Sequence, residues 1–460
     1  MQPINCPALF IAAPASGQGK TTLAAALARF LTRQGKRVRI FKTGPDYLDP
    51  QILSQASGQQ VIPLDMWMAG EDWCQQQLYM AAQEADIILV EGAMGMFDGE
   101  PSSADLAARF NIPLAIVMDV KGMGQTAAAI ASGLAAFRQD IHIMGLIANR
   151  CGSERHRQLI EAALPDHLPL LLSLARSADI VLPERHLGLV QAEEVAEQLE
   201  RCFDSGADRL AQGGIDQLLE AIQPVTFRAK TLAVINPYLL GKTIAIAKDS
   251  AFSFIYQENL QLLKEMGANI AFFSPIKDSS LPLADALWLP GGYPELHAKK
   301  LSANQSMIAS IHHFYQQNKP ILAECGGFLY TLESLTDLDS HRHTMVGLLA
   351  GEGVMCGKQG CQGMQTAALP EGDIRAHSHH RSRSSVSIAP LNHGRRQRHP
   401  APGEAIYRQK NLTASYLHLF FPSNPKAVAQ LFHDQTSIWD TASVSKRSME
   451  KNNKENIHVQ

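Results

Sequence analysis

Short apolar runs alternate with helix-like segments through the first half of the chain. Residues 21–34 place Leu23, Leu27 and Leu31 on one helical face. The apolar runs predict buried strands at residues 8–13, 38–42, 86–91, 113–120 and 141–149. This alternation predicts an α/β domain with a mostly parallel sheet, whose ligands should lie at the carboxyl ends of the strands.

The alternation weakens between residues 212 and 241 and then begins again. Strands are predicted at residues 243–247, 269–273, 286–289 and 320–323, and helices at 255–266, 305–317 and 328–335. We therefore predict a first domain at 1–225, a linker at 226–241 and a second domain at 242–436. The polar residues 437–460 are predicted to form a disordered tail.

Composition narrows the class of protein. A chain of 460 residues is expected to form two or three domains. Its net charge of −3 gives no general attraction to nucleic acid or to a membrane surface. No apolar run is long enough to span a membrane, and the first seven residues lack the basic flank of a signal peptide. Seven irregularly spaced cysteines fit a reducing cytoplasm better than a disulfide framework.

A phosphate-binding loop occupies residues 13–22, Ala-Pro-Ala-Ser-Gly-Gln-Gly-Lys-Thr-Thr. Its glycines let backbone N–H groups turn toward a phosphate, Lys20 adds positive charge, and Thr21 can offer its hydroxyl to Mg²⁺. The loop is a variant form, because Pro14 stands where the strict pattern has glycine. The predicted nucleotide-binding residues are Gly17, Gly19, Lys20, Thr21 and Thr22.

Acidic residues follow two of the predicted strands. Glu91 closes an apolar strand, where a carboxylate is costly unless it meets a cation or hydrogen-bond donors. Asp46, Asp49 and Asp98 lie in loops rich in glycine and proline. Each acid taken singly is equally well explained as a turn or cap residue. Together with the phosphate loop, they predict a metal or substrate site, with Thr21, Asp46 and Glu91 as metal ligands.

A cysteine nucleophile elbow is predicted at residues 321–327, Ile-Leu-Ala-Glu-Cys-Gly-Gly. The thiolate is the reactive form, so Cys325 is expected to have a lowered pKa, with the N-terminus of the helix beginning at Gly326 beside it. His418 is the candidate general base. Gly291 and Gly292 end another strand, and with Gly326 they are the candidate oxyanion-hole donors. A nucleotide site and a thiol on one chain suggest an amide ligase that takes ammonia from glutamine.

Two further groups of residues resemble metal ligands but are each incomplete. Cys356 and Cys361 lack a second pair, and the histidines of residues 375–382 lack a thiolate or an acid. We therefore predict no zinc site from either group. Residues 375–382 are predicted to be a basic surface loop, which could attract a polycarboxylate.

The order of the motifs resembles one family. After the phosphate loop come Gly-Pro-Asp-Tyr-Leu-Asp-Pro (44–50), Glu-Gly-Ala-Met-Gly-Met-Phe-Asp-Gly (91–99), Asn-Arg-Cys-Gly-Ser-Glu-Arg-His (149–156), Leu-Pro-Glu-Arg-His-Leu-Gly-Leu (182–189), Lys-Asp (248–249), Pro-Gly-Gly-Tyr-Pro-Glu-Leu-His (290–297) and the elbow. From about residue 8 to about residue 435 the chain resembles the cobyrinic acid a,c-diamide synthase family.

The resemblance implies a fold and a reaction. The fold is a dethiobiotin-synthetase-like parallel sheet followed by a class I glutamine amidotransferase-like, flavodoxin-like sheet. The reaction is the amidation of the a and c acetate carboxylates of cobyrinic acid in cobalamin biosynthesis. It uses ATP, Mg²⁺ and glutamine-derived ammonia and proceeds through an acyl phosphate. Asp46, Glu91 and Asp98 would act in catalysis, while Tyr47, Leu48 and Asp49 would line the acceptor site. A homodimer is one possible assembly.

Several alternatives stay open at the level of sequence. Triad amidotransferases carry His-x-Glu, whereas this chain has Phe420 in the acidic position, so activity could rest on a Cys–His pair or on an acid from elsewhere. The acceptor could instead be hydrogenobyrinic acid or a nickel sirohydrochlorin. A phosphate-loop switch ATPase would leave Cys325 idle, and a binding module would contain a degenerate Cys–His pair.

Overall fold

The structure is a computed structural model that describes residues 2–177, 179–182, 184–185, 188–189, 195–357 and 360–434. The predicted disordered tail, and residues 183, 186 and 187 of one family motif, lie outside these ranges. The chain divides into two units, Met1–Ala233 and Val234–Gln460. The division falls inside the predicted linker. None of the helices within the described residues combines the length and the apolar composition that a membrane span requires.

The first unit is built on a sheet with strand order β3-β2-β4-β1-β5-β6-β7. Neighbours in this order are parallel, and β10 adds to β1 in antiparallel register. The strands are β1 (Ile4–Ala12), β2 (Val38–Thr43), β3 (Ile62–Leu64), β4 (Ile87–Glu91), β5 (Leu114–Asp119), β6 (Ile143–Cys151), β7 (Leu170–Ala175), β8 (Glu184–Arg185), β9 (Gly188–Leu189) and β10 (Pro224–Phe227). The helices are α1 (Lys20–Arg33), α2 (Asp49–Ser57), α3 (Glu71–Glu84), α4 (Ser103–Phe110), α5 (Gln125–Ala136), α6 (Glu154–Glu161), α7 (Ala196–Gln212) and α8 (Asp216–Ala221).

Burial on both faces explains why the central strands read as continuous apolar runs. β1 and β4 are buried along most or all of their length, and helices cover them on either side. The loop after β1 turns into α1 at Gly19, whose φ of 95° favours glycine. The carboxyl ends of β1, β2 and β4 thus lie along one edge, as the alternation predicts.

The second unit contains a longer mixed sheet, in the order β12-β11-β13-β14-β23-β22-β21-β18-β19-β24. Its strands are β11 (Thr243–Ala247), β12 (Asn269–Phe273), β13 (Ala286–Leu289), β14 (Ile321–Glu324), β18 (Cys361–Leu369), β19 (Gly372–His380), β21 (Asn392–Arg396), β22 (Pro402–Gln409), β23 (Leu412–Ser415) and β24 (His418–Leu419). A smaller sheet contains β15 (Leu332–Thr336), β16 (Arg342–Thr344), β17 (Leu349–Met355) and β20 (Ser382–Val386). The helices are α9 (Gln257–Glu265), α10 (Ala298–Ala303), α11 (Gln305–Gln316), α12 (Gly326–Thr331) and α13 (Pro425–Leu431), with 3₁₀ helices at Pro294–His297 and Phe421–Ser423.

The sheet begins parallel and ends antiparallel, so its two halves have different sequence patterns. β12, β11, β13, β14 and β23 are parallel neighbours, and the predicted α/β architecture of both domains is confirmed. From β23 onward the pairing is antiparallel. The chain passes from β23 to β24 through only Tyr416 and Leu417, yet these strands stand far apart in the strand order. The sheet therefore curls back toward β23.

Two local predictions are wrong. The predicted helix at 328–335 ends at Thr331, and Leu332 begins β15, in which Leu332 and Leu335 are buried and Glu333 is exposed. The predicted surface loop at 375–382 is instead the end of β19 and the start of β20. Antiparallel partners on both sides supply the backbone hydrogen bonds there, and His377 is buried.

Candidate active site

The first cluster surrounds the phosphate loop. Lys20 Nζ donates to the carbonyl oxygens of Ala15, at 3.3 Å, and Met94, at 2.8 Å. A side chain at Gly19 would collide with Asn149, since a Cβ built there lies 2.2 Å from Asn149 Nδ2. The Asn149 amide in turn donates to the carbonyl of Gln18, at 2.8 Å. These contacts hold the loop backbone close to β6 and leave room for glycine alone at position 19.

Thr21 and Glu91 meet behind this loop. Thr21 Oγ1 donates to Glu91 Oε1 at 2.7 Å, which brings two predicted metal ligands together. Within the described residues, Glu91 Oε2 is buried and has no hydrogen-bond partner. Burial raises the pKa of Glu91, while the neighbouring Lys42 charge lowers it. An orphaned carboxylate oxygen beside a threonine hydroxyl fits a hard divalent cation such as Mg²⁺.

Lys42 is a functional candidate that the sequence reasoning missed. It is the penultimate residue of the buried strand β2 and is only 3% exposed. Its Nζ lies 3.4 Å from Asp49 Oδ2 and 4.0 Å from Asp46 Oδ2. Burial lowers the pKa of Lys42, but Glu91, Asp49 and Asp46 outweigh that effect and raise it. A lysine at the end of an apolar strand was the available signal, because an unpaired buried charge is costly.

Other predicted residues of this half lie along the same edge, in the turn before α2, at its first residue Asp49 and in the loop after β4. Asp46 Oδ1 accepts hydrogen bonds from the N–H groups of Leu48 and Asp49, at 2.9 and 3.1 Å, and so shapes the entry to α2. Burial, and then the nearby Asp46 charge, raise the pKa of Asp49. Asp98 Oδ2 accepts from the Gly95 N–H at 3.1 Å, as expected of a turn residue. Tyr47 is partly exposed between Asp46 and α2.

The second cluster is a cysteine elbow in the other unit. Cys325 follows β14 directly and precedes α12, with φ 45° and ψ −102°. Its N–H donates to the Ser415 carbonyl at 2.8 Å, and its carbonyl accepts from the Leu329 N–H at 2.9 Å. A positive φ on a non-glycine residue costs about 1–3 kcal/mol and persists where the surroundings impose it, often at active sites.

Three glycines make the close packing around Cys325 feasible. A methyl group built on Gly291 would lie 2.2 Å from His418 Cε1 and 3.4 Å from Cys325 Cβ, so both residues flank the same point. One built on Gly326 would lie 2.9 Å from the backbone nitrogen of Gly292. The structure thus brings together the predicted nucleophile, the predicted base and all three predicted oxyanion-hole glycines.

The protonation of this pair differs from the prediction. Burial, and then the charge of Glu295, raise the pKa of Cys325, whereas the Gly326 N–H lowers it. Burial, and then the histidines around it, lower the pKa of His418. The prediction of a lowered thiol pKa is therefore wrong for this structure: a neutral thiol faces a neutral imidazole.

Two neighbours hold His418 where a triad would use a third acid. The ring of His377 stacks on that of His418, with 4.9 Å between centroids and 14° between planes. Glu324 Oε1 accepts from the N–H of Leu419, the residue after His418, at 3.0 Å, while its Oε2 accepts from Trp288 Nε1 at 3.1 Å. Burial raises the pKa of Glu324 to about 8.

Two family models match this chain, and each covers one of the two clusters. Residues 9–190 match a CobQ/CobB/MinD/ParA nucleotide binding domain, and residues 243–426 match a CobB/CobQ-like glutamine amidotransferase domain. A curated relative, "Hydrogenobyrinate a,c-diamide synthase" of Stutzerimonas stutzeri (strain A1501), is 50% identical over 93% of this chain and 98% of its own length. The chain belongs to the a,c-diamide synthase family.

Two further members of the a,c-diamide synthase family carry different acceptor names. "Hydrogenobyrinate a,c-diamide synthase" of Pseudomonas aeruginosa is 48% identical and covers 94% of this chain and 98% of its own. "Cobyrinate a,c-diamide synthase" of Herminiimonas arsenicoxydans is 46% identical and covers 92% of this chain and 96% of its own. The family resemblance stated from the motifs is confirmed, and it includes both the nucleotide-binding and the amidotransferase domains.

Proposed function

We propose that this a,c-diamide synthase family member converts the a and c acetate carboxylates of a cobyrinic-acid-type corrin to amides, using ATP and glutamine. The observation that carries the proposal is the presence of two assembled sites on one chain. A phosphate loop with an acidic cluster lies in one unit, and a cysteine elbow with an adjacent histidine lies in the other. Full-length likeness to enzymes with these names supports the same reaction.

Residues at the first cluster suit phosphoryl transfer to a carboxylate. ATP supplies the phosphoryl group that turns a carboxylate oxygen into a leaving group. Lys20 and the loop N–H groups of Gly17 and Gly19 would hold the phosphates, and Thr21 and Glu91 would hold Mg²⁺. Lys42 keeps its charge among the acids, where it would attract the carboxylate to be activated.

The second cluster would release ammonia from glutamine. Cys325 Sγ attacks the side-chain amide carbon, and His418 accepts the thiol proton and passes it to the departing nitrogen. The N–H groups of Gly292 and Gly326 are the proposed donors to the oxyanion. Water then hydrolyses the glutamyl thioester. The neutral resting pair means that the thiol loses its proton as the attack occurs rather than before it.

The two candidate acceptors are cobyrinic acid and hydrogenobyrinic acid. Two of the relatives described above carry hydrogenobyrinate in their names and one carries cobyrinate, which favours testing the cobalt-free acid beside the cobalt form. We also propose a cytoplasmic location, in keeping with seven free cysteines. Homodimer formation and the absence of nucleic-acid binding stay predictions.

The test is corrin-dependent ATP hydrolysis. Purified protein with Mg²⁺ and glutamine is assayed with cobyrinic acid, with hydrogenobyrinic acid and without a tetrapyrrole, and the corrin is then analysed by mass spectrometry. We expect ATP turnover only with a corrin, and a product in which hydroxyl groups have been replaced by amino groups. ATP turnover that is indifferent to every tetrapyrrole would overturn the proposal in favour of a switch ATPase.

A further inference from the structure

A thiol, an imidazole and a carboxyl group from three strands meet in the amidotransferase unit. Their ligand atoms, on Cys361, His380 and Glu404, all lie within 4.8 Å of one another. Cys361 begins β18 and His380 ends β19, and the two are direct cross-strand partners. Cys361 therefore supplies the thiol that the histidines of residues 375–382 lack in sequence, and Glu404 of β22 adds an acid.

The ring of His380 is oriented as in many metal-bound histidines. Its Nδ1–H donates to the Ser382 carbonyl at 3.0 Å, and the Tyr416 ring stacks on it with 3.7 Å between centroids. Because a carbonyl can only accept, Nδ1 carries a proton, and in the neutral ring Nε2 presents a lone pair. A backbone carbonyl on one ring nitrogen commonly fixes the other as a metal ligand.

His380 Nε2 is directed into the cluster. The side chain is only 8% exposed, and Nε2 lies 3.2 Å from Glu404 Oε1. Among the residues the structure describes, Nε2 is buried, and the Glu404 carboxylate, which is at ion-pair distance, does not meet strict hydrogen-bond angles with it. With His380 protonated the two groups form an ion pair, and with both groups deprotonated they present two donor atoms to one point.

The other two ligands are held in place by a polar network. Gln365 accepts the Glu404 N–H at 2.8 Å through Oε1 and donates through Nε2 to Ser378 Oγ at 2.9 Å. Ser378 Oγ lies 3.6 Å from Cys361 Sγ, and the Glu404 carboxylate lies within 4.8 Å of the same sulfur. Arg396 lies close enough for its charge to act on both groups. The thiol and the carboxylate are thus positioned before any ion arrives.

We propose that Cys361, His380 and Glu404 form a binding site for one Zn²⁺ ion. One thiolate, one imidazole nitrogen and one carboxylate oxygen are the donor types that zinc prefers, and three protein ligands leave a fourth position open. The ion would tie β18, β19 and β22 together. His379, next to His380, has its carbonyl oxygen 4.0 Å from Cys325 Sγ, so the ion would steady the backbone beside the nucleophile. The proposal does not rest on the corrin reaction.

The test uses full-length protein stripped of metal by a chelator and then titrated with Co²⁺ as a spectroscopic probe. We expect one equivalent to bind with tetrahedral visible bands and a thiolate-to-cobalt charge-transfer band. Cys361→Ser should abolish that band. Cys356→Ser is the matched control, because Cys356 is a free thiol five positions earlier in the chain that lies outside the cluster.

Zinc affinity, measured by competition with a chromophoric chelator, gives a second readout. His380→Gln and Glu404→Gln should each weaken binding more than the roughly 10- to 100-fold typical of losing an outer-sphere partner. Near-ultraviolet circular dichroism checks that each variant is folded. If Cys361→Ser does not fold, Glu404→Gln, which keeps the side-chain shape, provides the deciding test. Wild-type zinc affinity in Glu404→Gln, or a cobalt spectrum with no thiolate band, would overturn the proposal and leave a hydrogen-bonded network only.

Discussion

At the scale of single residues, the two clusters solve opposite electrostatic problems. Lys42 remains charged in a buried position because Glu91, Asp49 and Asp46 surround it. Cys325 instead remains neutral, because burial and Glu295 disfavour a thiolate. In the proposed mechanism, the first site therefore offers a permanent positive charge to the carboxylate that is to be phosphorylated. In the same proposal, the second site offers a thiol that becomes a nucleophile when His418 accepts its proton.

Removing the Lys42 charge should destabilise the first unit. Lys42→Met leaves Glu91, Asp46 and Asp49 without their central cation, and breaking a buried ion pair costs about 3–5 kcal/mol. Denaturant unfolding at neutral pH measures this free energy. Lys36→Met, at an exposed position of the same unit, is the control. A loss similar to that of the control would show that Lys42 does not hold the acids together.

Glu324 predicts a pH dependence of stability. Its pKa of about 8 in the folded protein exceeds its ordinary value of 4.5, so the folded state holds a proton that the unfolded chain loses between these values. The contribution of Glu324 to stability therefore falls as pH rises from about 4.5 to about 8, at up to roughly 1.4 kcal/mol per pH unit.

Glu324→Gln should flatten this part of the stability profile, most clearly between pH 7 and 8, because Glu295, with a pKa of about 7, also contributes at lower pH. Unfolding free energies at several pH values provide the measurement. Glu265→Gln, an exposed carboxylate of the same unit, should leave the slope as in wild type. An unchanged slope in Glu324→Gln would mean that the buried carboxyl is ionised throughout.

At the scale of elements, the position of the proposed nucleophile Cys325 depends on close packing at one elbow. β14 delivers Cys325, the loop after β13 delivers Gly291, and β24 delivers His418. A methyl group does not fit between Gly291 and His418. Small displacements in this arrangement should therefore affect glutamine hydrolysis far more than folding.

Gly291→Ala tests this packing. The new Cβ would lie 2.2 Å from His418 Cε1 and push the ring away from Cys325. We expect glutaminase activity to fall about 100-fold or more, as misplacement by about 1 Å can do, while amidation with free ammonia persists. Gly133→Ala, with open space around it in α5, is the control. Wild-type glutaminase activity in Gly291→Ala would show that His418 is not the base.

Sequence patterns predicted most of the parallel strands of the two large sheets, but missed β3, β7 and β23 and all the antiparallel strands. The predicted bounds of β11, β12 and β13 match the structure, because all three are short apolar runs; β11 and β13 are buried, whereas β12 is a partly exposed edge strand. β18 and β19 carry polar residues such as Gln362 and Arg375 on exposed positions, which gave no apolar run to recognise. Motifs located Cys325 and Lys20. The pairing of Cys361 with His380 depends on strand register, which only the folded hairpin defines.

At the scale of the whole molecule, the two units carry separable chemistry. Every residue of the nucleotide cluster lies before Ala233, and every residue of the thiol cluster lies after Val234. Variants in either unit should therefore fail in complementary ways. One class should lose amide formation with any nitrogen source, and the other should lose only the use of glutamine.

Lys20→Met represents the first class. Loss of the cation at the phosphates should reduce corrin amidation about 100- to 1,000-fold with glutamine and with ammonia alike. This is the loss expected for a group that stabilises negative charge in the transition state. Glutamate release, measured separately, should remain detectable. Equal amidation by Lys20→Met and wild type would remove the phosphate loop from the mechanism.

The most direct test of the account compares wild type with Cys325→Ser in one corrin amidation assay, with either glutamine or ammonium as the nitrogen source. We predict that wild type forms the diamide from both, whereas Cys325→Ser forms it from ammonium alone, with ATP hydrolysis still dependent on the corrin. Diamide formation from glutamine by Cys325→Ser, or no amide from either source in wild type, would contradict the assignment of ammonia release to the elbow and of amidation to this chain.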